Sequence, residues 1–148
     1  TTGELHEILS QIGAKIIIKT LDGLSDKSIV PEKQDNKIAT FAPKIKVDDC
    51  KIDWRLSAKE IHNQIRAFSP IPGAFTYYKN KRVKLFGSKI SGINNLQPGQ
   101  IEYDKPTLHI GTGTNIILIN EIQIEGRERL PVTQFIIGHF EIIGDRFE

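Results

Sequence analysis

An α+β fold is expected for this 148-residue chain. The expected architecture is a small antiparallel β-barrel with flanking helices, preceded by a linker and by an orphan helix from a truncated α/β domain. Three observations predict it. Apolar residues recur at helical steps of three and four near the start and again over residues 58–68. After Gly73 the period falls to two, in short runs divided by turn residues. Between the two helical stretches lies polar, proline-containing sequence with no period at all.

The elements follow in order. Thr1 with Glu4 has capping-box spacing, and Leu5, Ile8, Leu9, Ile12 and Ile16 form one stripe running to about Leu21. Asp22-Gly23 ends it. So wide an apolar face has no partner next to it in sequence, which predicts packing against something upstream. Residues 24–36 read as a loop, and residues 37–50, extended and basic with Pro43, read as a linker.

The chain is organised around Lys51–Ala74, KIDWRLSAKEIHNQIRAFSPIPGA. Asp53 and Trp54 lead into a helix whose start is marked by Ser57 three residues before Glu60. Ala58, Ile61, Ile65 and Phe68 make its apolar stripe, and Pro70 forbids the α conformation at Ser69 and stops it. Ala74–Lys79 and Arg82–Phe86 then flank Asn80-Lys81 as a hairpin. Residues 100–103 and 107–110 flank a second turn at Asp104-Lys105-Pro106. Asn115–Ile124 is a long β-branched strand with a bend expected near Asn120-Glu121. About five strands with short turns suggest an OB-type Greek-key barrel. Pro131–Ile137 closes as a short helix, with Gly138 suited to its C-terminal cap.

Hydrophobic content of 39% and charged content of 26% fit a globular chain with a sizeable core. No run of about 18 apolar residues is present to span a membrane, and no basic-then-apolar leader precedes the first helix. The single cysteine, Cys50, excludes an internal disulfide and suits a reducing compartment, so a cytoplasmic location is expected. The sequence contains no methionine and opens Thr-Thr-Gly-Glu, which predicts a fragment of a longer protein.

Charge is segregated. Between Lys37 and Ile90 twelve Lys or Arg face four Asp or Glu, a net of +8, against +2 for the whole chain. This asymmetry favours a polyanionic partner for the middle segment. Its densest part is Lys79, Lys81, Arg82, Lys84 and Lys89, five cations in eleven residues without an acid. In a strand, Arg82, Lys84 and Phe86 point one way while Val83 and Leu85 point the other. One of Tyr77 and Tyr78 must then face outward beside the cations. Phosphate contacts with an aromatic platform are what OB-type nucleic-acid binders use, whereas basic edge strands also merely discourage aggregation. With Lys44 and Lys46 from the linker and Arg66 from the central helix, these five make the candidate nucleic-acid-binding set.

Catalytic candidates are few. His6-Glu7 opens a metalloprotease-like HExxH, but Ser10 stands at the second histidine position. Asp48, Asp49 and Asp53 lack the spacing of a calcium loop and read as linker and capping residues. Gly111-Thr112-Gly113-Thr114 precedes a β run instead of a helix, so it reads as a hairpin turn and not a dinucleotide loop. His62 and Arg66 share a polar helix face. No local pattern supports a Ser/His/Asp or Cys/His site, and no metal is expected.

Several stretches together carry a resemblance. TGELHEILSQIGAKIIIKTL, ATFAPKIKVDDCKIDW, IHNQIRAFSPIPGAFT and FIIGHFEIIGDRFE resemble the C-terminal half of the methionyl-tRNA formyltransferase family, over nearly the whole chain. APKI, IDW and RAFSPIPGA are shared in part by other folate-dependent formyltransferases and hydrolases. The resemblance implies transfer of a formyl group from 10-formyltetrahydrofolate to the amino group of initiator methionyl-tRNA. It implies a Rossmann-like catalytic domain, carrying the catalytic Asn, His and Asp and binding the folate, upstream of Thr1. No residue here then inherits a catalytic role, and no cofactor is expected on this chain. Residues 1–36 would be the last helix and loop of that domain, 37–54 the interdomain linker, and 55–148 an OB-like domain that helps hold the tRNA. A monomer is expected. A small-substrate relative of the same class, or a free-standing OB-type RNA-binding module, are the alternatives; the unpaired first helix argues against the latter.

Overall fold

The computed structural model describes residues 1–92 and 95–148. The chain forms two compact units, Gly3–Ile45 and Lys46–Glu148, the second also taking in Thr1 and Thr2.

The first unit is dominated by helix α1 (Thr2–Ser25), which runs four residues past the expected end at Leu21. Gly23 does not break it, because the turn is completed further on by Asp26 N–H donating to Asp22 O (3.0 Å) and Ile29 N–H to Gly23 O (3.0 Å). The predicted stripe forms, and it is bare: Leu5, Ile8, Leu9, Ile12 and Ile16 are 45–55% exposed. Residues 26–45 are irregular apart from a single 3₁₀ turn at Asn36–Ile38, which Asp35 caps.

In the second unit the stretch expected to be linker is folded from Lys46 onward. Cys50, Ile52 and Trp54 are buried. Lys51 pairs with Phe75 in a parallel bridge, and Ile52 N–H donates to Phe75 O at 2.7 Å. Helix α2 (Ala58–Phe68) carries the expected capping box between Ser57 and Glu60. Its Ile61 and Ile65 join one core with Val83, Leu85, Ile117 and Ile119. The sheet contains β1 (Phe75–Tyr78), β2 (Lys81–Ser91), β3 (Ile101–Asp104), β4 (Thr107–Gly111) and β5 (Ile116–Ile124), plus a short β6 (Leu130–Pro131). Every pairing is antiparallel, in the order β1-β2-β5-β4-β3, with β6 on β5. Helix α3 (Val132–Gly138) follows and buries Val132, Phe135 and Ile136.

Two local features shape this sheet. The first hairpin turns at Lys79-Asn80, not at Asn80-Lys81: both residues take positive φ (48° and 63°), as a two-residue primed turn demands. The expected bend in β5 is real and is matched on β2. Val83 and Leu85 face the core opposite Ile124 and Ile122, but beyond Gly87 it is Ser88 that faces inward, opposite Ile119. Gly87 has φ +63° and a Cβ there would stand 3.1 Å from Asn120 Cβ, so the kink favours glycine. Both strands change which residues face inward at this point, and the sheet curls over α2.

The curled sheet is joined across its two edges by residues 144–148. Gly144 N–H donates to Ile101 O (2.8 Å) and Phe147 N–H to Gly99 O (3.0 Å) at the β3 edge. Glu148 N–H then donates to Tyr77 O on β1 (3.0 Å). Phe147 stacks on Trp54 with ring centroids 5.7 Å apart and meets Tyr78 edge-on at 6.1 Å. A buried relay fixes the same seam: Trp54 Nε1–H donates to Thr76 Oγ1 (3.0 Å), whose hydroxyl donates to Glu148 O (2.7 Å).

Candidate nucleic-acid interface

The outer face of the sheet is set by strand register. On β2, Arg82 and Lys84 stand opposite Tyr77 and Phe75 of β1, so Tyr77 is the outward tyrosine. Tyr78 belongs to the other face, packing on Phe147 and donating to Asp145 Oδ2 at 3.0 Å. Lys89, beyond the kink, lies opposite Leu118 on the outer side and is exposed. Along the strand it stands about 16 Å from Lys84.

Several side chains on this face rest on an identifiable neighbour. The Arg82 guanidinium lies over the Phe75 ring, 4.7 Å from its centroid. The Lys84 stem crosses Gly73, where a Cβ would come within 2.9 Å of Lys84 Cδ. The turn that ends α2 therefore leaves a bare backbone for this lysine to lie on. Lys51 Nζ sits 5.2 Å from the Tyr77 ring centroid, and Arg129, after β5, lies 4.0 Å from that of Phe86. Among the described residues, Arg82, Lys84, Lys89 and Lys81 have no carboxylate within ion-pair distance, whereas Arg129 is paired with Glu121. A shallow cleft of about 180 Å³ opens between Arg82, Lys84, Gln123 and Gly126, with Glu125 on its rim.

The predicted residues thus divide. Arg82, Lys84 and Lys89 share the outer face. Lys81 stands opposite Tyr78 at the hairpin end, and Lys79 is engaged there, 3.9 Å from Asp145 and over the Tyr78 ring. Arg66 projects from α2 and donates to Asn63 Oδ1 (2.8 Å), away from this face. Lys46 begins the second unit and donates its N–H to Asp49 Oδ2 (2.7 Å), while Lys44 belongs to the first unit. Two outer-face cations escaped the sequence reading, Lys51 and Arg129. Lys51 comes alongside β1 only through a long-range bridge, and Arg129 lies outside the dense basic run. Neither leaves a local signal.

Several polar groups off this face are engaged locally. Asp49, inside the 3₁₀ turn Asp48–Cys50, accepts from Lys46 N–H (2.7 Å), and Asp53 accepts from Arg55 Nε (2.9 Å), Nη2 (2.7 Å) and backbone N–H (3.0 Å). Those bonds hold the Asp53 carboxyl at about 2, well below an ordinary aspartate. A depressed carboxylate contributes stability present above the unfolded value near 4 and lost as pH falls toward 2. A carboxyl-carbon NMR titration should therefore find Asp53 still ionised at about pH 3; a midpoint near 4 would dissolve the pair. His62 Nδ1 lies 2.9 Å from Ser88 Oγ, and burial, with Arg66 nearby, lowers its pKa. Among the described residues no three His, Cys, Asp or Glu side chains gather as a metal site.

A larger groove of about 660 Å³ runs past Lys51, Asp53, Gln97 and Arg146. Its rings, Trp54 and Phe147, are 5% and 2% exposed, and Asp53 is engaged by Arg55.

Comparison with known proteins decides the family. The family described as "Formyl transferase, C-terminal domain" matches residues 44–139. The chain belongs to that family. Two relatives of this formyl transferase C-terminal domain are named methionyl-tRNA formyltransferase. That of Carboxydothermus hydrogenoformans is 37% identical over 150 residues, covering 100% of this chain and 49% of the relative. That of Geobacter sulfurreducens is 40% identical over 135 residues, covering 90% and 42%. The chain thus spans about half the length of the curated relatives it matches. In fold, this C-terminal domain is similar to part of HypX from Aquifex aeolicus solved with tetrahydrofolic acid. The TM-score is 0.71 at 19% identity, over 87% of this chain and 23% of HypX. No helix here is long and apolar enough to cross a membrane among the described residues.

Proposed function

We propose that this chain is the RNA-holding, C-terminal part of a methionyl-tRNA formyltransferase. The observation that carries the proposal is the outer sheet face, where, among the described residues, Arg82, Lys84 and Lys89 make no ion pair and stand beside Lys51 and Arg129. On this reading the preceding half of the protein binds 10-formyltetrahydrofolate and transfers its formyl group to the methionyl amine. The residues here grip the initiator tRNA by its phosphates and hold it in place, so that binding energy becomes orientation at the distant amine. Phosphate contacts position without reading bases, so the identity of the tRNA is judged mostly elsewhere. The curled sheet, joined by residues 144–148, acts as an OB-like barrel. The bare stripe of α1 is the face that the formyl-transferring domain covers, with the stretch between α1 and Lys46 as the interdomain linker.

Binding of initiator tRNA to this chain, measured between about 50 and 300 mM KCl, tests the proposal. Five cations on phosphates give a slope of log K against log salt of about −3 to −4. A flat response would remove the phosphate-contact reading. The chain alone is expected to transfer no formyl group.

A further inference from the structure

Residues 46–51 are bonded mainly to themselves. Within and around the turn Asp48–Cys50, Asp49 N–H donates to Lys46 O (3.2 Å), Cys50 N–H to Val47 O (3.0 Å) and Lys51 N–H to Asp48 O (3.1 Å). What grips the segment from outside is one side chain of α2. Gln64 Nε2 donates to Asp49 O and to Lys51 O, both at 3.0 Å. The other end of that amide, Oε1, is buried without a hydrogen-bond partner among the described residues, so the grip costs it solvation. Lys51 meets β1 in a single isolated bridge, and the 2.7 Å bond beside it is donated by Ile52. The main core takes in Ile52 and Trp54 and leaves out Cys50, although Cys50 is buried; Val47 is exposed. Yet this lightly held segment ends on Lys51, whose ammonium lies over Tyr77 on the outer face.

We infer that residues 46–51 form a strap, latched to α2 by Gln64 and hinged at Ile52, that opens without unfolding the rest of its unit and delivers Lys51 to the outer face when it closes. A segment tied by few bonds, with little apolar surface in the core, opens at a lower free energy than the whole fold. Gln64 is then a positioning residue for Lys51, acting through the backbone it holds on either side of Cys50. The link from strap to RNA rests on the proposed function. A phosphate that meets Lys51 favours the closed strap, and the closed strap favours that phosphate by the same factor.

The chain carries its own probe. Cys50 is its one cysteine and is 2% exposed, so reaction with an aromatic disulfide reagent reads opening of the strap. Labelling is expected at least about 10-fold faster than global unfolding allows, and nearly flat in urea below the unfolding transition followed by Trp54 fluorescence. Gln64→Leu should speed labelling about 10-fold. Phe135→Ala, a core substitution in α3 that lowers global stability, should leave the labelling rate within about 2-fold. Saturating initiator tRNA should slow labelling at least about 3-fold, and Lys51→Gln should remove that slowing. Labelling that rises with urea as steeply as global unfolding, or that Phe135→Ala speeds as much as Gln64→Leu, would overturn the strap; the urea series on the unaltered chain decides this even if a variant fails to fold. Bound tRNA that leaves labelling unchanged, or slows it equally in Lys51→Gln, would overturn the delivery of Lys51. Failure of tRNA to bind would instead overturn the RNA-holding role, while labelling of the free chain still decides whether the strap opens.

Discussion

Reversing Arg82 and Lys84 together to glutamate is expected to weaken initiator tRNA binding by about 3 kcal/mol, some hundredfold, and to flatten the salt slope by about two. Both side chains stand on one face of β2, two residues apart, and neither has an acid partner among the described residues. The same substitutions should leave the fold nearly untouched. Lys84 packs only its stem, on Gly73, and Arg82 gives up a ring contact of about 0.5–1 kcal/mol. Lys59→Glu, on α2 and off this face, is the control and should change affinity by no more than about 2-fold. Filter binding across a salt series, with thermal melts of each variant, reads all three quantities. Lost affinity at an unchanged slope would mean that these cations do not touch phosphates.

The largest effect on stability is expected at Phe147. Replacing it with alanine should cost about 3–5 kcal/mol. That lowers the melting temperature of a unit of this size by roughly 12–20 °C. The ring is 2% exposed and stacks on Trp54 while meeting Tyr78 edge-on, so its loss leaves a void where the two sheet edges meet. Phe140→Ala supplies the comparison. That residue lies seven positions earlier and is 70% exposed, and its replacement should change stability by less than about 0.5 kcal/mol. Urea unfolding followed by tryptophan fluorescence is well suited, because Trp54 is the only tryptophan and lies in the seam. Equal effects from the two variants would show that the seam carries no special share of the stability.

Much of this fold is legible in the sequence where the determining chemistry is local. The Ser57–Glu60 capping box, the α2 stripe and the stop at Pro70 act within a few residues of one another, and α2 runs from Ala58 to Phe68 as they require. The alternation of β2 likewise separates Arg82 and Lys84 from Val83 and Leu85. The turn at Lys79-Asn80 is less legible, because neither residue is glycine and both take positive φ. What could not be read depends on distant pairs. Residues 46–54 look like linker by composition, yet Ile52 bonds Phe75 and Trp54 bonds Thr76, both more than twenty positions away. The candidate site shows the same division. The sequence supplies the outer cations of β2, but the rings that seat them, and Lys51 and Arg129, come together only through tertiary register.

The bond from Glu148 to Tyr77 also imposes an order on biosynthesis. A ribosome releases β1 and β2 long before it releases Phe147, so the two edges wait open, with Trp54 unstacked, until the last of these residues has left the exit tunnel. Closure over so long a sequence separation is the slow kind of contact to form. During that interval a nascent chain presents an unpaired β3 edge and a β1 edge covered only at Phe75, the state in which strand-pairing errors with a neighbouring copy are most readily made.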